Sequence, residues 1–139
     1  MKHQKMYLDF LKEQGFAPKI DNDNDVIFKY EGKTFLISID ERDEQYFRLI
    51  FPNFWSVDDT TELSKALKVA NDVNSSIKVA TVIIVKDHVW AVAEMFIDGT
   101  PDIEDFFMRT LDLVKTAADR FSKGMQGEQF EILRHLLKN

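Results

Sequence analysis

The sequence contains no cysteine, and it has only five glycines and three prolines among its 139 residues. Without cysteine there are no disulfide bonds, no thiolate nucleophiles and no zinc sites built on sulfur ligands. With so few glycines, no glycine-rich loop that would hold a phosphate group is present. No run approaches the roughly 20 apolar residues that cross a bilayer. These absences exclude several large classes of enzymes and membrane proteins.

Positive charge is also scarce, since 18 Lys and Arg residues stand against 24 Asp and Glu residues, for a net charge of −6. A nucleic-acid-binding protein needs a basic face that replaces phosphate counterions, so we expect no nucleic-acid partner. The same charge disfavours binding to an anionic membrane. The first segment, MKHQKMYLDFLKEQG, is charged throughout and lacks the apolar core of a signal peptide. The expected location is the cytoplasm.

The first half of the chain has the spacing of one helix followed by three strands. Apolar residues at helical spacing over residues 5–14 are followed by Gly15, where a helix would stop. Residues 26–30 and 35–39 alternate with a period of two and are joined by Glu31-Gly32, which predicts a hairpin. The run YFRLIF predicts a third strand that ends at Pro52.

The second half predicts a helix, a hairpin and a longer helix. Asp59 and Glu62 resemble a capping box at the start of a helix that should end near Asn74. IKVATVIIV and VWAVAEMFI form the next hairpin, and a long apolar helix face closes at Gly124. We therefore expect one α+β domain over residues 1–124, in the order α-β-β-β-α-β-β-α. It would contain a five-stranded antiparallel sheet with helices mainly on one face, and residues 125–139 would form an amphipathic tail helix.

Three aspartates spaced two apart, Asp21, Asp23 and Asp25, resemble the start of a calcium loop. An EF-hand loop needs Gly at its sixth position and a bidentate Glu at its twelfth. Counted from Asp21, those positions hold Val26 and Gly32. Asp and Asn also favour turns because they hydrogen-bond their own backbone. The segment is therefore interpreted as a polar turn before the first hairpin.

No other pattern predicts a catalytic, cofactor-binding or metal-binding residue. The three histidines, His3, His88 and His135, are far apart in sequence and none pairs with another at helical ligand spacing. Ser75 and Ser76 lie in a helix-to-strand connection without the glycines of a nucleophile elbow. We expect a protein that is not an enzyme.

Aromatic residues offer candidate contacts with a partner protein. Glu94 interrupts an apolar strand, and a strand that turns Glu94 to solvent turns Trp90 and Phe96 outward with it. Phe54 and Trp55 lie in a second aromatic segment, FPNFW. Exposed aromatic patches on small acidic domains mark interfaces, although a crowded core also absorbs such residues. We take Phe54, Trp55, Trp90 and Phe96 as candidate protein-interaction residues.

Two segments carry a resemblance to a known family. DVIFKYEGKTFLISID, with its EGK hairpin, and ALKVANDVNSSIKVATVII, with Asn71 and Asn74 near a helix end, resemble the YbjN-type proteins, which are related in fold to type III secretion chaperones. The resemblance covers roughly residues 5 to 122. It implies a non-enzymatic binding domain, often a homodimer, and it transfers no catalytic residue. Asn71 and Asn74 either cap the helix end or line a binding edge.

The leading hypothesis is a chaperone-like or regulatory module that forms a homodimer and binds a peptide or protein. Burial of apolar side chains would drive binding, and an open sheet edge would accept an added strand. One alternative is a small-molecule sensor with a pocket between the sheet and the helix that carries Phe106 and Phe121. An enzyme that uses Glu94 with a lysine or arginine is a third.

Overall fold

The computed structural model describes residues 2–97 and 103–127. Its helices are α1 (Lys2–Glu13), α2 (Thr60–Asn74) and α3 (Ile103–Met125). The strands are β1 (Lys19–Ile20), β2 (Val26–Tyr30), β3 (Lys33–Ile37), β4 (Tyr46–Ser56), β5 (Ala80–Val85) and β6 (His88–Phe96). All neighbouring strands pair antiparallel in the order β1-β2-β3-β4-β6-β5. The predicted α+β architecture is confirmed, but the sheet has six strands and not five.

The additional strand is β1, which is only two residues long and has no periodic pattern that a sequence reading would detect. It pairs with the first residues of β2, Lys19 with Ile27 and Ile20 with Val26. The aspartate segment is the turn between these strands, because one carboxylate oxygen of Asp21 accepts the amide hydrogens of Asp23 and Asp25, both at 2.9 Å. The prediction of a polar turn is confirmed.

The first two helices begin or end where the sequence predicts. At the end of α1, the Phe16 amide donates to the Leu11 carbonyl at 2.9 Å, and Gly15 has a φ of +91°. This is a Schellman arrangement, in which a left-handed glycine satisfies the last carbonyls. At the start of α2, the Asp59 carboxylate accepts the Glu62 amide at 2.7 Å, and Asn74 is the last helical residue.

The end of α3 and the end of β4 were predicted wrongly. Gly124 is buried inside α3, which continues to Met125, and the left-handed glycine is Gly127 with a φ of +88°. Strand β4 passes Pro52 and continues to Ser56, with a register shift between residues 51 and 55. A bulge leaves some backbone groups out of the ladder, and the missing N–H of a proline is tolerated there. The predicted tail at 125–139 lies mostly outside the described residues.

All three helices contribute to one core on one face of the sheet. The core is dominated by aromatic rings, and Phe35, Phe47, Phe107 and Phe121 are completely buried in it. Alternate strand residues point into this core, as the period of two requires. Within the described ranges, no helix is both long and apolar enough to cross a membrane.

Candidate functional site

An apolar row crosses the face of the sheet that lies opposite the helix-packed core. Four residues continue one another in register across four strands, Ile27 beside Leu36, Leu36 beside Ile50, and Ile50 beside Val92. Ile50 and Val92 are only 3% and 4% exposed, yet neither belongs to the core cluster. We call this the open face because it lies opposite the helix-packed core, although Ile50 and Val92 in its central row are shielded from solvent.

Two of the predicted interaction residues, Trp90 and Phe96, lie on the open face. Their neighbours Val89, Ala91 and Ala93 belong to the helix-packed core, so the alternation of β6 turns both aromatic residues away from it. Phe96 is 79% exposed, whereas Trp90 is half-buried and its indole N–H donates to the Asn53 side chain at 2.8 Å. Phe96 is the most exposed large apolar side chain of the described residues.

Glu94 also faces outward here and is held by two neighbours from β4. The Arg48 guanidinium lies 3.6 Å from the carboxylate, and the Tyr46 hydroxyl donates a hydrogen bond to it. Burial, and then the hydrogen bond to Glu94, raises the pKa of Tyr46. Glu94, Arg48 and Tyr46 therefore form a polar cluster across β4 and β6 at the border of the open face, beside Phe96.

The other two predicted interaction residues, Phe54 and Trp55, lie against the helix-packed core. Phe54 stacks on Phe51 at 5.3 Å between ring centroids, and both Phe54 and Trp55 contact the buried Phe121 ring edge-on. The Trp55 indole N–H donates to Glu62 at 3.2 Å. The four candidates therefore fall into two separate pairs, and the role of each pair in binding a partner stays a prediction.

One residue of β2, Lys29, leaves its backbone unpaired at the sheet edge, and sequence reasoning did not locate it. Strand β1 covers only Val26 and Ile27. In the antiparallel β2–β3 hairpin the backbone groups of successive residues point alternately toward and away from the partner strand. Tyr30 and Lys33 flank the two-residue turn, so the backbone groups of Tyr30 point toward β3. The N–H and C=O of Lys29 consequently point outward, and they have no backbone partner within residues 2–97 and 103–127.

A groove of about 450 Å³ runs along this edge. Its walls are mostly apolar, and it is lined by Gly15, Phe16, Ala17, Lys19, Ile27, Phe28, Lys29 and Thr34. The Phe16 ring, placed by the glycine turn after α1, packs edge-on against Phe28 at 5.3 Å. Lys19 and Lys29 are exposed. The groove thus combines an apolar floor, an unpaired backbone and two positive charges on an acidic protein.

The hairpin that carries this edge is fastened to α3 at its tip. The Tyr30 hydroxyl donates to the Asp112 carboxylate at 2.9 Å, which raises the pKa of Tyr30. Lys115 pairs with Glu31 in the turn, whose φ is +51°. Positive φ at both turn residues is the conformation of the tight hairpin turn that matches strand twist. These contacts hold the free edge in place without a partner.

The opposite edge of the sheet, on β5, has a different arrangement. The Val82 amide donates to the side-chain oxygen of Asn74 at 2.7 Å, and the side-chain nitrogen of Asn74 donates to the Val82 carbonyl at 3.0 Å. Asn71 contributes its backbone carbonyl to the Ser75 amide at 3.0 Å. The Asn71 bond is an ordinary backbone bond of the last helical turn and not a side-chain cap, while the Asn74 side chain bonds to the sheet edge.

Nothing in the described part of the chain gathers three or more His, Cys, Asp or Glu side chains into a group that would hold a metal ion.

A family model matches residues 3–131, and its description is TY-Chap1, the "T3SS (YopN, CesT) and YbjN peptide-binding chaperone 1" family. The chain belongs to this family. The match confirms the resemblance suggested by the hairpin and helix-end segments, and it extends beyond residue 122 into the predicted tail. This is a family of peptide-binding chaperones, so the coarse prediction of a binding module is confirmed.

Two solved structures share the fold. An uncharacterized protein from Methanothermobacter thermautotrophicus superposes with a TM-score of 0.66 at 15% identity, over 89% of this chain and 96% of that one. YbjN from E. coli, described as a putative transcription regulator, gives a TM-score of 0.61 at 12% identity, over 85% of this chain and 87% of the other. At these identities the likeness shows the fold alone. No curated protein matches this chain.

Proposed function

We propose that this protein is a cytoplasmic, homodimeric chaperone module that holds an extended peptide segment against the free edge of β2. The observation that carries the proposal is the groove at that edge, where the outward backbone groups of Lys29 face a mostly apolar channel. A peptide in extended conformation satisfies such groups by adding a strand, and it places alternate side chains on the two faces of the sheet.

The residues of the groove also specify the chemistry of the peptide. Phe16 and Phe28 form an apolar contact surface on the core side, which favours an aliphatic or aromatic side chain. Lys19 and Lys29 place positive charge beside it, although the chain as a whole carries −6. Complementary charge favours selection and rapid association. The preferred ligand is therefore an extended segment that alternates apolar and acidic residues.

Homodimer formation is supported by the open face. Phe96 exposes 79% of its surface beside Tyr46, whose ring centroid lies 6.4 Å away. Exposed aromatic residues of this kind are enriched at protein interfaces. We assign Trp90 and Phe96 to contacts between two copies. Light scattering after size exclusion tests this, and a strict monomer across micromolar concentrations contradicts it.

No observation favours the alternative of a small-molecule sensor. The residues of α3 that face the sheet, including Phe107, Leu111, Val114 and Phe121, are fully buried within the common core. The groove at the β2 edge lies away from that helix and is lined by residues of the first quarter of the chain.

Binding of labelled peptides tests the peptide site. Two panels of roughly eight residues, a usual strand length, would alternate Val or Ile with Asp in one panel and with Lys in the other. Fluorescence anisotropy should show acidic peptides binding at least about tenfold more tightly, because they complement Lys19 and Lys29. Absence of binding by both panels contradicts the proposed function, and equal binding contradicts the proposed peptide chemistry.

Substitutions of Lys29 separate the backbone contribution from the charge. Lys29→Pro removes an outward N–H that the fold does not use, and proline is tolerated at such edge positions. Lys29→Ala keeps the N–H and removes only the charge. We expect the proline variant to bind at least about tenfold more weakly than the alanine variant, because the ring also blocks the added strand. Equal weakening would assign the whole effect to charge and contradict strand addition.

A further inference from the structure

The two edges of the sheet differ in a way that neither the family description nor the proposed function contains. The backbone of β2 at Lys29 has no partner, whereas the backbone of β5 at Val82 is paired with a side chain. We propose that Asn74 interrupts the β5 edge at its middle and so prevents this edge from pairing with the same edge of a second copy of this chain. The proposal does not rest on peptide binding at the β2 edge.

The geometry of the contact imitates a neighbouring strand. The carboxamide of Asn74 offers one acceptor and one donor, and both are used on the same residue, at 2.7 Å to the Val82 amide and 3.0 Å to the Val82 carbonyl. A residue of a paired antiparallel strand makes the same two bonds. Both outward groups of Val82, at the middle of the edge strand, are therefore satisfied within the chain.

The next outward group toward the start of β5 is also occupied. Ala80 lies two residues before Val82, so its backbone groups also point outward. Its amide donates to the Lys78 carbonyl at 2.7 Å across a turn in which Val79 has a φ of +70°. Only the Ala80 carbonyl and the backbone of Ile84 remain outward and without a backbone partner among the described residues. Ile84 offers the same two outward groups as Lys29 does on β2, but the Asn74 contact separates Ile84 from Ala80, so an added strand cannot pair along the whole of β5.

An unprotected β5 would be a strong site for self-association. Its sequence, ATVIIV, is β-branched and apolar apart from one threonine, and it carries no charge. Exposed edge strands of this composition pair with identical strands of other copies. The strand contains neither the lysine nor the proline with which many edge strands are protected. Asn74 performs that protective role from outside the strand.

A purely structural role for Asn74 makes a different prediction. If the contact only fastens the end of α2 to the sheet, then its loss lowers stability without changing what the edge binds. If Asn74 guards the edge, its loss also exposes the Val82 amide and creates association between copies through β5. The distinguishing measurements are hydrogen exchange at Val82 and the oligomeric state, and stability alone does not decide between the two roles.

Three variants make the test. Asn74→Ala removes both bonds. Asn74→Ser also removes both bonds, because its side chain is shorter, and it serves as a second variant should the alanine variant fail to fold. Asn71→Ala is the matched control, because Asn71 is exposed near the same helix end and its side chain makes no hydrogen bond among the described residues.

We expect the Val82 amide to exchange at least about tenfold faster in Asn74→Ala than in the wild type, the effect of one lost hydrogen bond. Exchange at Ile83, which pairs with Trp90 on β6, should be unchanged. In Asn74→Ser the Val82 amide should exchange faster in the same way. Sedimentation velocity should show species larger than the wild type that grow with concentration for Asn74→Ala and Asn74→Ser, and none for Asn71→Ala.

Unchanged Val82 exchange, or faster exchange with no new association in either Asn74 variant, overturns the proposal that Asn74 guards the edge. Failure of the proposed function gives a different signature, in which the wild type binds no peptide while the Asn74 variants still associate.

Discussion

The separation of the four aromatic candidates into two pairs predicts that Phe54 contributes to the stability of the single chain and that Phe96 contributes to association between copies. Replacing a fully buried phenylalanine by alanine costs about 3–5 kcal/mol. Phe54 packs on Phe51 and on the buried Phe121, so Phe54→Ala should lower the free energy of unfolding by about 2–4 kcal/mol. Phe96 keeps about one-fifth of its surface out of water, so Phe96→Ala should cost about 0.6–1 kcal/mol of unfolding free energy in the monomer.

Urea denaturation followed by circular dichroism measures both changes, and it should be repeated over a range of protein concentrations. For a homodimer, stability rises with concentration because association is linked to folding. Phe96→Ala should remove much of that concentration dependence, whereas Phe54→Ala should leave it in place. Thr81→Ala, an exposed position on the open face, is a control that removes little apolar surface. A concentration-independent loss at Phe96 as large as that at Phe54 would refute the reasoning.

Three further predictions concern a buried tyrosine, a crowded aspartate and a strained turn. Burial raises the pKa of Tyr7 from 10.0 to about 12, so its contribution to stability is complete below pH 10 and is lost as the pH rises through 12. Between pH 9 and pH 11 the wild type should lose about 1.4 kcal/mol more unfolding free energy than Tyr7→Phe, and parallel urea curves would contradict this. Burial also raises the pKa of Asp25, which means that its ionised form opposes folding at neutral pH. Asp25→Asn keeps an acceptor for the Ile39 amide, 2.8 Å from the present carboxylate, and should raise the Tm at pH 7; a lower Tm would show that the charge is favourable. Val79 is a β-branched residue with a φ of +70° and 49% exposure. Val79→Gly should therefore raise the free energy of unfolding, measured in urea, by about 0.5–1 kcal/mol, and a lower value would indicate that no strain is stored there.

The elements with strong periodicity were predictable from the sequence. Alternation in β2 and β3, with Glu31-Gly32 between them, determined the hairpin, and the positive φ angles of the turn explain why a glycine stands there. The same is true of Asp59, whose carboxylate caps α2 as its spacing to Glu62 indicated. In each case a short local pattern carries the physical cause, so nothing distant in the chain was needed.

The features that escaped prediction depend on contacts between distant or non-periodic segments. Strand β1 consists of Lys19 and Ile20 paired with the start of β2, and two residues carry no period of their own. Pro52 is tolerated within β4 because of a bulge whose presence the sequence does not announce. The free backbone of Lys29 is a property of the shortness of β1, so the candidate peptide site became visible only from the strand pairing.

The candidate interaction residues show the same limit. The alternation of β6 correctly predicts that Trp90 and Phe96 share a face with Glu94. Phe54 and Trp55 were grouped with them on aromatic content alone, and composition does not reveal that the end of β4 turns these rings toward Phe121. The Asn74 side chain was assigned to the helix end or to a binding edge, and its bonds to Val82 place it on an edge that it occupies itself.

The most direct test of the central claim is a residue-by-residue map of amide exchange with and without the acidic peptide. Added strand pairing at the β2 edge should slow exchange at Lys29, whose N–H has no backbone partner within the described residues, and it should leave Val82 unchanged. Slower exchange confined to other strands, with Lys29 unaffected in a saturated complex, would contradict the account of this protein as a chaperone that binds peptides at the β2 edge.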